Sequence, residues 1–390
     1  MTPYQLYVSD SSYFSGKLEG YLRYKGIAHD RHEISINTMR NVILPATGFM
    51  KVPVMQCPDG RWLKDTTPMI QWLDRQHPQP SVYPEDPAAR FIALLVEDYA
   101  DEWMWRPAMY YRWRFADSHR LRRARLGHEL AEGTLHSSWL MGWYFRWRQY
   151  WVFVRGDGVR PHNEPAVQEV YHRTLRELSA LLEMRPFLLG TRPSIVDFAF
   201  FGSMFRHYAL DPYPAKIMVD TAPAVWAWVA RVWNARAARE GGGTLEDFPA
   251  TEWQPLFADI LREYLPYLDD NAKAYAKKLK RFDLTLPRHP REGGDPVLYP
   301  SMPVVRYRVA CRSQLLKAWH ALDAGARANA AQKLGGIAAW FEAAQDVDAG
   351  LDDEFVLPLA QRYPEARGLY GLRMYQGTPW DLPAPPKDQQ

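Results

Sequence analysis

Ser11-Ser12-Tyr13-Phe14-Ser15-Gly16-Lys17-Leu18, running on through Tyr21, Leu22 and Tyr24 to Lys25-Gly26-Ile27, is the stretch that decides the fold. Tyr4-Gln5-Leu6-Tyr7-Val8 ahead of it has the composition of a strand. Leu18, Tyr21 and Leu22 then recur at helical spacing, and Gly26 stands where a helix stops. A strand, a serine-rich turn and a helix therefore follow one another. The serines fall at the helix N-terminus, where unpaired N–H groups and the helix dipole favour an anion such as a thiolate.

Working outward, Lys51-Val52-Pro53-Val54-Met55 reads as a strand entered through a proline, and the residue before a proline is pushed toward extended geometry. Asp59-Gly60 makes a hairpin turn between Val54-Met55-Gln56 and Arg61-Trp62-Leu63. Asp65-Thr66-Thr67-Pro68 opens another helix through Met69, Ile70, Trp72 and Leu73, and by itself reads as a good helix cap.

In this order and spacing the three motifs resemble the start of a glutathione transferase. The resemblance implies a thioredoxin-like domain whose Ser-Pro-aromatic-Ser turn is written here Ser12-Tyr13-Phe14-Ser15, with Tyr13 where proline is usual. It makes Ser12 the serine whose hydroxyl bonds the glutathione thiolate, with Ser11 and Tyr7 as alternative hydroxyls. It also makes Val52-Pro53 a cis bond beside Lys51, with Val52 offering its backbone to the cysteinyl part of glutathione. Asp65 and Thr66 then bind the γ-glutamyl group, threonine keeping the hydroxyl of the usual serine.

The 390 residues, 47% of them apolar, are enough for more than one domain and a sizeable core. A net charge of +3 argues against a dedicated nucleic-acid surface, and the run His119-Arg120-Leu121-Arg122-Arg123-Ala124-Arg125 reads as a solvated helix face. Two distant cysteines, Cys57 and Cys311, make a disulfide framework a poor expectation and a reducing interior the natural one. With no signal-peptide pattern and no long apolar run, the expectation is a soluble cytoplasmic protein. A Cys-x-x-Cys pair would be needed for thioredoxin-type redox work, and Ser12 and Ser15 occupy those positions, so any thiol must come from a bound molecule. His29 and His32 beside Asp30 and Glu33 have no second cluster at ligand spacing, so no metal is expected. No P-loop, dinucleotide fingerprint or Gly-x-Ser-x-Gly elbow is present.

Three regions are expected. Residues 1–80 form the α/β thioredoxin-like glutathione-binding domain, with a short helix or loop over 34–50, ending in a proline-rich connector. Residues 87–239 form an all-α helical domain, and residues 250–390 a mostly helical C-terminal extension of unassigned role. Trp139, Trp143, Trp147 and Trp151 lie along one helix face, and such a stripe is read as core. Attachment of segment 139–151 to a membrane surface is the third and least favoured reading. Trp103, Trp105, Tyr110, Tyr111 and Trp113 are candidates for an aromatic wall facing the second substrate, Trp103, Tyr110 and Tyr111 foremost, with Arg106, Arg112 and Arg114 interspersed to stack on rings or hold an acidic group. Ser194 and Asp197 stand at capping-box spacing ahead of Phe198, Phe201 and Phe205, similar to a folding motif of the same family's helical domain. In the extension, Trp253 to Leu268 suggests one helix, Pro287 to Pro303 a loop, Val304 to Val309 a strand or extended chain, and Pro383-Ala384-Pro385-Pro386-Lys387 a tail.

The expectation is an enzyme of glutathione transferase type, likened to bacterial serine-turn members. It takes glutathione as co-substrate and directs its thiolate at a small hydrophobic electrophile, with a detoxification role and a homodimer implied by the resemblance. The alternative is a non-catalytic scaffold of the same fold whose extension recruits a partner or covers the cleft.

Overall fold

The computed structural model describes residues 2–290 and 293–359, so the expected tail and part of the glycine-rich segment near 291 lie outside the described residues. β1 (Tyr4–Val8), α1 (Tyr13–Lys25), β2 (His29–Glu33), β3 (Val54–Gln56), β4 (Trp62–Lys64) and α4 (Thr66–Gln76) make the thioredoxin-like unit, with short α2 (Ile36–Thr38) and α3 (Leu44–Thr47) between β2 and β3. The sheet order is β2-β1-β3-β4, with β1 parallel to β2 and antiparallel to β3. Gly60 takes φ +87° in the hairpin, and Gly26 ends α1 at φ +68°, both in the left-handed region that glycine enters without steric cost.

The helical part comprises α5 (Pro87–Glu102), α6 (Trp105–Arg114), α7 (Ala116–Ala131), α8 (Ser138–Gln149), α9 (Glu164–Met184), α10 (Ile195–Ser203), α11 (Pro212–Thr221), α12 (Pro223–Asn234) and α13 (Ala237–Glu240). α10 begins with the expected capping box: Ser194 N–H donates to Asp197 Oδ2 at 2.9 Å, and Asp197 N–H to Ser194 Oγ at 3.4 Å. Asp197 Oδ1 also accepts from Leu188 N–H at 2.8 Å and Trp228 Nε1–H at 2.9 Å, so one carboxylate joins three segments.

α14 (Ala250–Asp259) runs through a π-helical turn into α15 (Leu265–Ala276), the long helix expected there. Two readings of the extension are corrected. The loop expected over 287–303 is partly strand, because β5 (Arg281–Leu286) pairs antiparallel with β6 (Val297–Pro303). The strand-like run 304–309 is the start of α16 (Arg306–His320), with α17 (Ala324–Leu334) and α18 (Gly336–Ala343) following. Trp319 and Phe341 close on Phe91 of α5 at ring distances of 5.2 and 5.1 Å, so the extension shares the main core.

The tryptophan stripe is a further correction. Trp139, Trp143, Trp147 and Trp151 are 64, 39, 58 and 52% exposed, and α8 turns Gly142 and Phe145 inward instead. The basic run on α7 is not uniformly solvated either: Arg122 is buried against Asp211, and Arg123 lies 4.0 Å from the Trp143 ring centre.

Candidate functional site

Ser12 caps α1, its Oγ accepting from Ser15 N–H at 3.2 Å. The same hydroxyl lies 3.5 Å from the Val52 carbonyl oxygen, to which it donates, and Val52-Pro53 is cis. Two motifs separated by forty positions in sequence thus meet at the positive end of α1. Tyr13, in the place of the family's proline, is a core anchor: its ring is buried and its hydroxyl donates to the Ala100 carbonyl. The turn is braced from behind by Arg112, which donates to the Ser11 carbonyl at 2.5 Å and to Asp211 at 2.7 Å.

Asp65 stands at the entry of α4 with φ +65°, a conformation rare outside glycine. Its side chain makes no capping bond, which corrects the plain helix-cap reading. Instead the carboxyl faces Tyr307 at the start of α16, which favours its ionised form. Its Oδ2 is buried with no hydrogen-bond partner. Desolvation raises the Asp65 pKa, opposed by the neighbouring Tyr307 hydroxyl and by Lys17 and Lys51. Lys51 keeps part of its side chain open to water yet stands in crowded surroundings, and desolvation lowers its pKa against the pull of Glu102 and Asp65. Thr66 is buried beside Asp65 in the first turn of α4. Underneath, the ammonium of Lys17 is sealed between Glu97 at 2.6 Å and Asp101 at 2.5 Å, tying α1 to α5.

Of the aromatics expected to face a second substrate, Trp103, Tyr110, Tyr111 and Trp113 are core residues, and Trp105 alone is half-buried, beside the serine turn. Trp103, Tyr110 and Tyr111 are at most 2% exposed; Trp103 bonds Glu263 at 3.2 Å and Tyr110 bonds Glu164 at 3.0 Å. They present no open wall. The arginines between them hold acidic groups of the chain itself: Arg106 pairs with Asp157, Arg112 with Asp211 and Arg114 with Glu164. The half-buried aromatics next to the serine turn are Phe14, Trp105 and Phe153, with Phe14 stacked on Trp105 at 6.1 Å and Phe153 edge-on to it at 5.6 Å. On another side of the turn a cavity of about 610 Å³ is lined by Asp10, Ser11, Glu33, Arg125, His128 and Glu129, and the buried Ser11 Oγ has no partner there. Tyr7, the other alternative hydroxyl, is on β1 with its ring against His32 and Trp62.

Sequence reasoning missed Tyr307 and Arg308. Arg308 donates to Glu102 Oε2 at 2.8 Å and to the Tyr267 hydroxyl, fixing the start of α16 over the end of α5. From there Phe355 stacks on Tyr307 at 6.1 Å, and Leu359 exchanges two backbone hydrogen bonds of 2.7 Å with Trp62 on β4. No pattern in 304–309 signals this, because the acidic partners, Asp65 and Glu102, lie more than 200 positions away.

Among the described residues no group of three or more His, Cys, Asp or Glu side chains is arranged to hold a metal ion, and no helix is long and apolar enough to cross a membrane. Cys57 and Cys311 are both buried and free, and burial pushes the Cys57 thiol up to about 12.

Residues 6–81 match the glutathione S-transferase N-terminal domain family and residues 133–231 the glutathione S-transferase C-terminal domain family. Among solved structures, a glutathione S-transferase from Rhodospirillum rubrum is 19% identical over 61% of this chain and 89% of its own, with a TM-score of 0.41. One from Methylobacterium radiotolerans, in complex with glutathione sulfonate, is 20% identical over 62% of this chain and 92% of its own, at 0.37. A rice enzyme in complex with glutathione is also 20% identical, over 67% and 99%, at 0.37. No curated protein matches the chain in sequence. With a thioredoxin-like unit ahead of a helical one and both domain families matched in that order, the chain belongs to the glutathione S-transferase family.

Proposed function

We propose that the protein is a glutathione transferase-type enzyme that binds glutathione across the thioredoxin-like unit and holds its sulfur as a thiolate beside Ser12. The observation that carries this reading is the meeting of the Ser12 hydroxyl with the Val52 carbonyl at the N-terminus of α1. A hydroxyl donor and the helix dipole at one point favour the ionised thiol over the neutral one, and a larger thiolate fraction speeds attack on an electrophile. The orphaned Asp65 Oδ2 supports placing the γ-glutamyl ammonium there, since a buried acceptor without a partner gains a charge-assisted bond. Thr66 would add its hydroxyl to that end, and Lys51 a positive charge for a carboxylate. The residues present therefore fit the tripeptide. The small hydrophobic electrophile is assigned to the Phe14–Trp105–Phe153 ledge, two residues along from Ser12. A homodimer belongs to the same reading.

The Tyr307 contact favours a second reading, in which the extension covers the glutathione site of a protein that binds without catalysis. Calorimetry separates them: the enzyme shows heat with glutathione and thermal stabilisation by it, and the covered scaffold shows neither. For the enzyme, Ser12→Ala keeps glutathione binding while conjugation of a model aryl halide falls on the order of a hundred-fold, as for loss of one donor to a developing anion. Unchanged turnover would remove Ser12 from its role.

A further inference from the structure

The hairpin of α7 and α8 is held by two glycines. A β-carbon at Gly127 would come within 2.2 Å of the Ser138 carbonyl oxygen, and one at Gly142 within 2.5 Å of the Arg123 carbonyl oxygen. Among the described residues this close crossing leaves the far side of α8 largely exposed, with Arg123 of α7 lying over the Trp143 ring. Trp139, Leu140, Trp143, Tyr144, Trp147, Trp151 and Val152 are all between 39 and 64% exposed along it. Isolated exposed apolar residues are ordinary, but a contiguous aromatic face of this extent marks an interaction surface.

Charge identifies the occupant. From Gly133 to Gly156 the sequence has no aspartate or glutamate and carries Arg146, Arg148 and Arg155. Arg120 and Arg125 of α7 are exposed on the neighbouring helix, whose acidic residues are Asp117 in its first turn and the buried Glu129. A second copy docked by two-fold symmetry would set this arginine-bearing, carboxylate-free face against itself, with no counter-charge in the segment. A negatively charged bilayer surface supplies both requirements. Indole rings settle at the boundary between headgroups and acyl chains, and arginines beside them meet lipid phosphates.

We propose that the exposed face of α8 and the turn after it docks the protein on an anionic membrane surface. α8 lies in the interface plane rather than crossing it, in keeping with its length of 12 residues. The turn that carries Trp151 and Val152 also carries Phe153, which packs on Trp105 beside the serine turn, so the docked face adjoins the candidate site.

The test is co-sedimentation of the full chain with phosphatidylcholine vesicles, with and without phosphatidylserine, for the wild type and for a Trp139→Gln/Trp147→Gln/Trp151→Gln variant. All three side chains are more than half exposed, so the fold tolerates the change, which circular dichroism checks. The wild type is expected to pellet with phosphatidylserine vesicles and to be released by salt, and the variant to partition at least about ten-fold more weakly. Wild-type protein that stays in the supernatant with anionic vesicles overturns the proposal, as does a triple variant that binds equally well. Sedimentation velocity without lipid gives a third way to overturn it, if the wild type self-associates through this face and ignores vesicles. None of these outcomes depends on whether glutathione binds.

Discussion

Asp65 Oδ2 is a buried acceptor with nothing to accept from, and such an atom costs roughly 1–3 kcal/mol relative to one that is paired. It is tolerated where a ligand supplies the donor. Asp65→Asn keeps a residue that enters the left-handed region readily but removes the charge. Glutathione affinity should then fall about ten-fold or more while the unliganded melting temperature holds or rises; calorimetry and thermal melts read the two. Unchanged affinity would take the γ-glutamyl end away from Asp65. Lys17 is the opposite case, a buried cation whose two carboxylate partners satisfy it. Lys17→Met strands Glu97 and Asp101 and should cost about 3–5 kcal/mol in denaturant unfolding.

At the scale of elements, what was legible in the sequence is what local chemistry dictates. The α1 cap at Ser12, the left-handed stop at Gly26, the Asp59-Gly60 hairpin and the Ser194–Asp197 box are each settled within a few residues. The tryptophan stripe was legible as one face of a helix, but periodicity gives the face and not the direction in which it points. Val304 to Val309 misled for a different reason. Asn271 bonds both the N–H and the carbonyl of Val305, at 2.8 and 3.0 Å, standing in for a neighbouring strand for one residue before α16 begins. β6 was hidden by Pro300 and Pro303, which a two-stranded ribbon accommodates because each strand is an edge. The glycine crossing of α7 and α8 belongs to this scale too. Gly142→Ala drives a β-carbon into backbone that cannot rotate away, so the hairpin should lose about 1–3 kcal/mol, seen as earlier hydrogen exchange over both helices.

For the molecule as a whole, the extension belongs to the same hydrophobic core as the thioredoxin-like and helical parts, and at Tyr307 it reaches the candidate site. The helical hairpin reaches the serine turn from another direction: Glu129 of α7 accepts from Asp10 N–H at 3.1 Å. Burial, helped by Asp10 and Glu33, raises the Glu129 pKa from 4.5 to about 7. A raised acid favours folding in its protonated form, so this contribution is complete below pH 4.5 and is lost as pH rises through about 7. Glu129→Gln keeps an acceptor for Asp10 and has no proton to lose. Its stability relative to wild type should rise across that window by up to about 3 kcal/mol, read from urea unfolding at several pH values.

The most direct measurement is the ionisation of the glutathione thiol in the complex, followed by ultraviolet thiolate absorbance as pH is raised. A thiol pKa below that of free glutathione in the wild type, returning toward the free value in Ser12→Ala with binding retained, is the result expected of a hydroxyl and a helix terminus shared with the sulfur. A bound thiol that titrates like the free one in the wild type, or no binding at all, contradicts it.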